Sequence, residues 1–406
     1  MVACCRRSRR GRAGCCRGRS RCAGRRRGKS AAASASRPAG GTAATCAATS
    51  DSTDTLDLAE LVAQLRAWAT ELGFQQLGIA DTDVRLDSER LQRWLDQGMH
   101  GNLEYMQRHA HLRARPEELV PGTLRIISVR MDYGDTEPDK AWATLADGER
   151  AYISRFALGR DYHKVIRSRL QKLANRMAER IGPFGYRAFT DSAPVLEKAL
   201  ARKSGLGWTG KHTLTLNTHA GSWFFLGELF TDLQLPVDEP VTPHCGTCMR
   251  CIQVCPTQAI IAPYVVDARR CISSLTIENR GTIPEELRKP MGNRIFGCDD
   301  CQLVCPWNKF AKRHDEPDFR IRNNLDQASL VDLFNWTEEQ YLRNTEGSAL
   351  RRPGWIGWMR NIAVALGNAP TTPEIIAALK ARAEHPSELV REHVAWALRQ
   401  HEKSAQ

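Results

Sequence analysis

The sequence predicts an α+β chain carrying a cysteine-rich domain for two metal clusters and a tail of HEAT-like α-helical repeats. Three observations carry this reading. Strand-like and helix-like stretches mix between Leu56 and Phe230 without regular βαβ alternation. Eight cysteines crowd between Cys245 and Cys305. Beyond them, two similar apolar segments, Ile362-Ala-Val-Ala-Leu366 and Val394-Ala-Trp-Ala-Leu398, lie 32 residues apart. The expected bounds are an arm at 1–53, an α+β domain at 54–236, the cluster domain at 237–315 and the helical tail at 316–403.

Charge separates the arm from the rest. Residues 1–50 hold thirteen lysines and arginines and no acid, so the rest of the 406-residue chain carries 45 basic groups against 46 acidic ones. The net charge of +12 is therefore no general argument for nucleic-acid binding. The arm is low in complexity and nearly devoid of large apolar side chains, so it cannot offset its chain entropy and is expected to be disordered. A mis-assigned start, an organellar transit peptide and a basic nucleic-acid-binding arm all remain open. A twin-arginine export signal needs an apolar stretch after the arginines, where this chain has AAASASRPAGG. No run approaches 18 apolar residues, so no membrane span is expected.

From Leu56 the pattern becomes globular. Leu58, Leu61, Val62, Leu65 and Trp68 recur at helical spacing, and Gly73 ends the helix. Phe74–Ala80 reads as a strand, Ser88–Gln97 as a helix and Arg125–Met131 as a core strand. Asp161 looks like the cap of a long helix through Val165, Leu170, Leu173 and Met177. Tyr186–Thr190 and the aromatic-rich Ser222–Phe230 read as further strands. In the tail, Ile375, Ile376 and Leu379 mark a helix between the two echoing segments, a period that suggests stacked helix pairs.

The cysteines carry the strongest chemical signal. Cys245-x2-Cys248-x2-Cys251-x3-Cys255-Pro256 is the spacing of bacterial ferredoxins, in which the fourth thiolate serves the other cluster of a pair. Cys298-x2-Cys301-x3-Cys305-Pro306 repeats it without the first cysteine, and Cys271 is the candidate for that vacancy. Eight thiolates match two 4Fe-4S clusters. Exchanging the last ligand of each run assigns Cys245, Cys248, Cys251 and Cys305 to one cluster, and Cys255, Cys271, Cys298 and Cys301 to the other. Two zinc sites would also use four thiolates each, but the nearly repeated spacing ending in proline favours iron and sulfur. A disulfide framework belongs to short secreted chains.

Other signals are weaker alone. Gly205-Leu-Gly-Trp-Thr-Gly210-Lys211 opens like a phosphate-binding loop. However, His212 stands where Ser or Thr is required, and a helix-like stretch precedes it where a strand is needed. Asp191 ends a strand in Phe189-Thr-Asp-Ser-Ala-Pro194 and reads either as a turn residue or, if its surroundings raise its pKa, as an acid. His163, one turn into a helix, is surrounded by Arg155, Arg160 and Lys164, which would suit a phosphate-bearing cofactor or an RNA backbone.

In combination these stretches resemble the epoxyqueuosine reductase family. Arg155-Phe-Ala-Leu-Gly-Arg-Asp-Tyr-His163, Thr190-Asp-Ser-Ala-Pro-Val-Leu-Glu-Lys198, Gly205–Lys211, both cysteine runs with Cys271, and Arg360-Asn-Ile-Ala-Val-Ala-Leu-Gly-Asn368 all match, covering about residues 54–400. Ser192 stands for a usual threonine and Phe156 for a frequent tyrosine. The resemblance implies a cobalamin-dependent iron–sulfur enzyme that reduces epoxyqueuosine to queuosine at the tRNA wobble position. Asp191 would be the proton donor, with Arg113, Tyr162, His163, Asp191, Trp208 and Lys211 near the corrin. It implies an external electron donor of the flavodoxin or ferredoxin class, tRNA as partner, no membrane, a cytoplasmic location and a monomer by default. Arg351, Arg352 and Arg360 beside Trp355 and Trp358 form either an RNA-contacting strip or a helix face over core tryptophans. A corrinoid reductive dehalogenase and a ferredoxin-like electron carrier are the alternatives.

Overall fold

Period-two alternation in the strand Arg125–Asp132 sends Ile127, Val129 and Met131 to one face of a sheet and Ile126, Ser128, Arg130 and Asp132 to the other. The computed structural model containing this strand describes residues 57–134, 138–312 and 316–404, and the expected arm at 1–53 lies outside them. The sheet is antiparallel throughout, in the order Gln76–Ala80, Arg125–Asp132, Phe224–Thr231, Tyr186–Phe189. Its register sets Ser128 between Gly78 and Glu228.

Two helices cover the apolar face. Leu58–Glu71 and Tyr162–Ile181 bury Leu61, Leu65, Ile166 and Leu170 against Ile127, Val129, Met131 and Leu229. Each helix starts on an aspartate. Asp57 accepts from the N–H groups of Ala59 and Glu60, and Asp161 accepts from that of His163. Gly227 lets the second helix lie close to the sheet, since a Cβ there would come within 2.6 Å of Ile166 Cγ2. On the opposite face the helix Glu197–Lys203 packs Leu200 on Ile126, Phe189 and Phe230. That apolar group is small. Beside it Ser128, Arg130, Asp132 and Glu228 are buried.

Helices and strands mix through the described residues, and the cysteine-bearing segment follows the last sheet strand. Its thiols sit at the edges of short helices: Cys255 ends Arg250–Val254, Cys271 precedes Ile272–Ile277, and Cys301 lies in Asp300–Leu303. The two echoing apolar segments fall on Gly354–Asn368 and Glu388–Ser404, which pack directly on each other. Their core continues into Ile272, Leu275, Ile295 and Phe296 of the cysteine-bearing segment.

Arg360 corrects one reading of the tail. It is 0% exposed, and its guanidinium donates to the carbonyl oxygens of Leu275, Asn279 and Gly281 and to Asn361 Oδ1. Trp358 is equally buried, and Arg352 pairs with Glu278. Arg360 therefore meets no phosphate. A guanidinium with five N–H donors is used here to satisfy chain carbonyls where two parts of the fold meet.

Candidate active site and thiol-lined cavities

Three of the residues singled out in the sequence converge. The helix Tyr162–Ile181 begins beneath the end of the strand Tyr186–Phe189, so its first turn faces the Thr190–Pro194 turn. Tyr162 is stacked face to face on Phe225, with centroids 4.1 Å apart, and its hydroxyl donates to Asp191 Oδ2. His163 Nε2 lies 3.5 Å from the same oxygen, while its Nδ1 is 2.7 Å from Asp161 Oδ1. Asp191 has φ +52°, in the left-handed region, and its N–H donates to the Glu197 carboxylate. A non-glycine residue held there is strained, and the hydrogen bond helps to hold it.

The charges follow from these contacts. Burial opposes charge on His163, but its hydrogen bonds to Asp161 and Asp191 win and raise its pKa to about 9. Desolvation also works against the Asp191 carboxylate, yet His163 and Tyr162 hold it below the ordinary value, with its side chain 59% exposed. The surroundings therefore lower this carboxyl where a resting acid would need them to raise it. At neutral pH the titratable proton of the pair is on His163. Burial lifts Glu197 to about 7, with the Asp191 charge adding to it, and lifts Glu228 beneath it well above the usual carboxylate range.

Tyr162, Asp191 and Lys198 line a cavity of about 450 Å³ that is also lined by Cys255, Cys271, Cys298 and Cys301. A second, smaller cavity of about 70 Å³ is lined by Cys245, Cys248, Cys251 and Cys305. The two cavities thus divide the eight thiols four and four, and all eight are free of disulfides. The thiols surround volumes and do not meet at a point: among the described residues no three His, Cys, Asp or Glu side chains are placed to hold a single ion. Asp299, between Cys298 and Cys301, is buried and accepts from Tyr152 Oη, Ser154 Oγ and the Arg155 N–H, which fixes that run against the segment before the long helix.

The remaining candidates lie elsewhere. Lys211 Nζ donates to the carbonyl oxygens of Gly246 (2.7 Å) and Cys248 (3.0 Å), tying the Gly205–Lys211 loop to the first cysteine run. Trp208 is buried edge-on against His244 and Trp307 beside the same run. Neither lines the cavity of Asp191. Arg113 is buried too, donates to the Tyr105 carbonyl oxygen at 3.1 Å, and has its pKa lowered by burial. The glycines of the loop serve a close approach: a Cβ at Gly207 would fall 2.0 Å from the Leu216 carbonyl oxygen.

Sequence reasoning missed the polar half of the sheet. Arg125–Met131 reads as a plain core strand, although in the observed strand Arg125–Asp132 Ser128, Arg130 and Asp132 alternate and Glu228 pairs with Ser128 across the register. The signal was the strict polar spacing at every second position. Two cavity residues, His212 and Thr215, also leave Nε2 and Oγ1 without a hydrogen-bond partner among the described residues. Buried polar atoms of this kind fit a ligand that brings its own donors and acceptors.

Comparison with known proteins agrees with the geometry. Residues 244–308 match the 4Fe-4S double cluster binding domain, and residues 113–192 match the family described as epoxyqueuosine reductase QueG, DUF1730. The chain is 60% identical over 345 residues to an epoxyqueuosine reductase of Xanthomonas campestris pv. campestris, covering 85% of this chain and 97% of that protein. It is 56% identical to that of Escherichia coli (strain K12), covering 85% and 90%. Solved epoxyqueuosine reductases also superpose. One bound to an epoxyqueuosine-modified tRNA-Tyr stem loop has a TM-score of 0.72 at 25% identity, covering 85% of this chain and 91% of that one. The Bacillus subtilis structure, with its catalytic aspartate loop swung out of the active site, reaches 0.74 at 26% identity with the same coverage. The chain belongs to the epoxyqueuosine reductase family.

Proposed function

We propose that this oxidoreductase reduces epoxyqueuosine to queuosine at the wobble position of tRNA. The observation that carries the reading is one cavity lined by Tyr162, Asp191 and four thiols, with His163 Nε2 3.5 Å from the Asp191 carboxylate. Reducing the epoxide to the alkene consumes two electrons and two protons: breaking the first C–O bond leaves an oxyanion that takes one proton, and the oxygen then departs as water with the second. The thiols in the cavity lining are where electrons arrive, and Asp191 lines the same cavity. Cys245, Cys248, Cys251 and Cys305 hold one 4Fe-4S cluster, and Cys255, Cys271, Cys298 and Cys301 hold the other.

Cobalamin, when bound, would supply low-potential reducing chemistry for the epoxide. The peripheral amides of its corrin suit the unpartnered Thr215 Oγ1 and His212 Nε2, and Tyr162, Lys198 and Asp191 line the same space. Arg113, Trp208 and Lys211 act from further back, Lys211 by holding the first cysteine run. Asp191 is the residue that hands a proton to the substrate oxygen. In the resting site it is ionised, and the proton waits on His163, one hydrogen bond away. An oxyanion forming beside Asp191 would raise its pKa and draw that proton across. The left-handed backbone of Asp191 fits a loop able to leave the site, as the Bacillus subtilis loop does.

The finer organisation belongs to the same reading. An α+β domain at 54–236 holds the reaction cavity, 237–315 is the two-cluster domain, and 316–403 forms a HEAT-like tail against tRNA. A flavodoxin- or ferredoxin-class donor supplies electrons to a cytoplasmic monomer. Among the described residues no helix is long and apolar enough to cross a membrane. The test uses protein purified and reconstituted without oxygen with iron, sulfide and cobalamin, then incubated with reductant and epoxyqueuosine-containing tRNA. Digestion and mass spectrometry should show loss of one oxygen from the nucleoside, dependent on cobalamin. No conversion with both clusters and corrin in place would reject the reading.

A further inference from the structure

We propose that the groove beside the first thiol group is the docking surface of the external electron donor, and that this donor is a small acidic redox protein. The inference rests on the reductase reading and assigns a place for the partner. The two thiol groups differ in what they adjoin. Cys255, Cys271, Cys298 and Cys301 share a cavity with Asp191 and so face the reaction. Cys305 of the other group lines both its own small cavity and a wide groove of about 1020 Å³. Electrons from outside therefore meet the first group at this groove and reach the reaction cavity through the second.

The chemistry of the groove selects its occupant. Its charged lining residues are Arg155, Arg250 and Lys309, and no carboxylate is among the described residues that line it. Trp142 adds aromatic surface, with the buried Trp223 also in the groove's lining, and Phe310 (45% exposed) and Met249 (37% exposed) stand next to Lys309 and Arg250. A cationic rim around apolar contacts suits a brief encounter with an anionic protein, in which charge steers approach and a small apolar patch fixes orientation. RNA would also accept cations and aromatics. However, the groove shares no residue with the cavity of Asp191, so a nucleotide bound there would not present its base to that site.

The experiment uses the iron- and cobalamin-loaded enzyme and its Lys309→Glu and Arg250→Glu variants. Reduction of the clusters is followed by their visible absorbance in anaerobic stopped flow. The reductants are a reduced flavodoxin, as the acidic carrier, and reduced methyl viologen, as a small molecule that needs no docking surface. The wild-type rate with flavodoxin should fall with added salt. Each variant should be slower by about tenfold at low salt and should lose that salt dependence. Viologen rates and iron content should stay unchanged. If Arg250→Glu loses iron, Lys309→Glu carries the test, because it lies outside both cysteine runs. Unchanged flavodoxin rates would overturn the proposal. So would variants that lose only affinity for the tRNA stem loop, which would make the groove an RNA surface. Failure of viologen-fed wild-type enzyme to convert epoxyqueuosine would instead reject the reductase reading, independently of the groove.

Discussion

Replacing Asp191 by Asn tests the acid–base group with little disturbance of the fold. Asn tolerates φ > 0 about as well as Asp, so the left-handed position and its N–H bond to Glu197 should persist. Two consequences follow. Removing the carboxyl that passes the proton should slow a single turnover by about 10²–10⁴, or roughly 3–5 kcal/mol of barrier. His163 also loses one of the two carboxylates that raise its pKa, so that value should fall from about 9 towards 6.5, with Asp161 still holding part of the shift. The sign is that of a raised histidine. The charged form is favoured by folding, so the contribution is fully present below pH 6.5 and is lost as pH rises through about 9. For the intact pair, moving from 6.5 to about 9 corresponds to about 3 kcal/mol. Asp191→Asn should therefore cost about 1 kcal/mol at pH 7 and almost nothing at pH 10.

The assay is single turnover of pre-reduced enzyme on an epoxyqueuosine stem loop between pH 6 and 10, with product read by mass spectrometry. Wild type should lose rate on the alkaline side near pH 9 as His163 gives up its proton. The variant should show both the lower plateau and an alkaline limb moved to lower pH. Cluster spectra and corrin binding should be unaltered. A wild-type rate in Asp191→Asn would remove this residue from proton transfer. A slow variant with an unmoved alkaline limb would show that His163 and Asp191 do not act together.

Three further outcomes are expected. Cys271→Ala should retain about four of eight irons, with the cluster on Cys245, Cys248, Cys251 and Cys305 intact by electron paramagnetic resonance; iron that stays near eight refutes the ligand assignment. Arg360→Ala removes the guanidinium donor from the buried carbonyl oxygens of Leu275 and Asn279, while Gly281 keeps Asn279 Nδ2, and should cost about 3 kcal/mol or more in denaturant unfolding. An unfolding midpoint close to wild type would show that solvent or relaxation replaces those bonds. His393 is fully buried, and burial pulls its pKa down to about 3, so it folds neutral and takes up a proton only on unfolding. Its contribution should be lost as pH falls below 6.5. His393→Gln should flatten that acid limb, and an unchanged limb would assign acid sensitivity to other groups.

Much of this arrangement was legible in the sequence because its signals are local. Asp161 at a helix start, Gly73 at a helix end and the cysteine spacings each act within a few residues; the structure places the caps accordingly, and two cavities are lined by four of the thiols each. Where the reading failed, the deciding contact was distant in sequence. Arg360 reads either as part of a basic strip with Arg351 and Arg352 or as a helix-face residue over core tryptophans, and of these only the buried Trp358 is found. The partners of Arg360 lie some 80 residues upstream, and the sequence offers no spacing that announces three carbonyl oxygens waiting there. Lys211, placed near the corrin by the resemblance, likewise has its partners out of local reach, in the carbonyls of Gly246 and Cys248.

The sheet gives a different lesson, since its signal was local and was still passed over. In Arg125–Asp132 the apolar positions were read as a run, when their alternation with Ser128, Arg130 and Asp132 was the information. A strand buried on both faces has no reason to spend every second position on a polar residue unless that face meets something polar. Here the burial of Ser128, Arg130 and Glu228 costs stability that apolar residues would have supplied, and the helix Glu197–Lys203 covers only part of that face. The same helix begins with Glu197, whose carboxylate holds the backbone of Asp191. The polar face and the strained turn are therefore joined through one side chain. Filling that face with apolar residues to stabilise the sheet would loosen Asp191, so stability and the acid–base site oppose each other at Glu228 and Glu197. Glu228→Leu separates the two ideas: it should raise the unfolding midpoint while lowering the single-turnover rate, and a variant that gained stability at full rate would show that the buried carboxyl pair has no part in the chemistry.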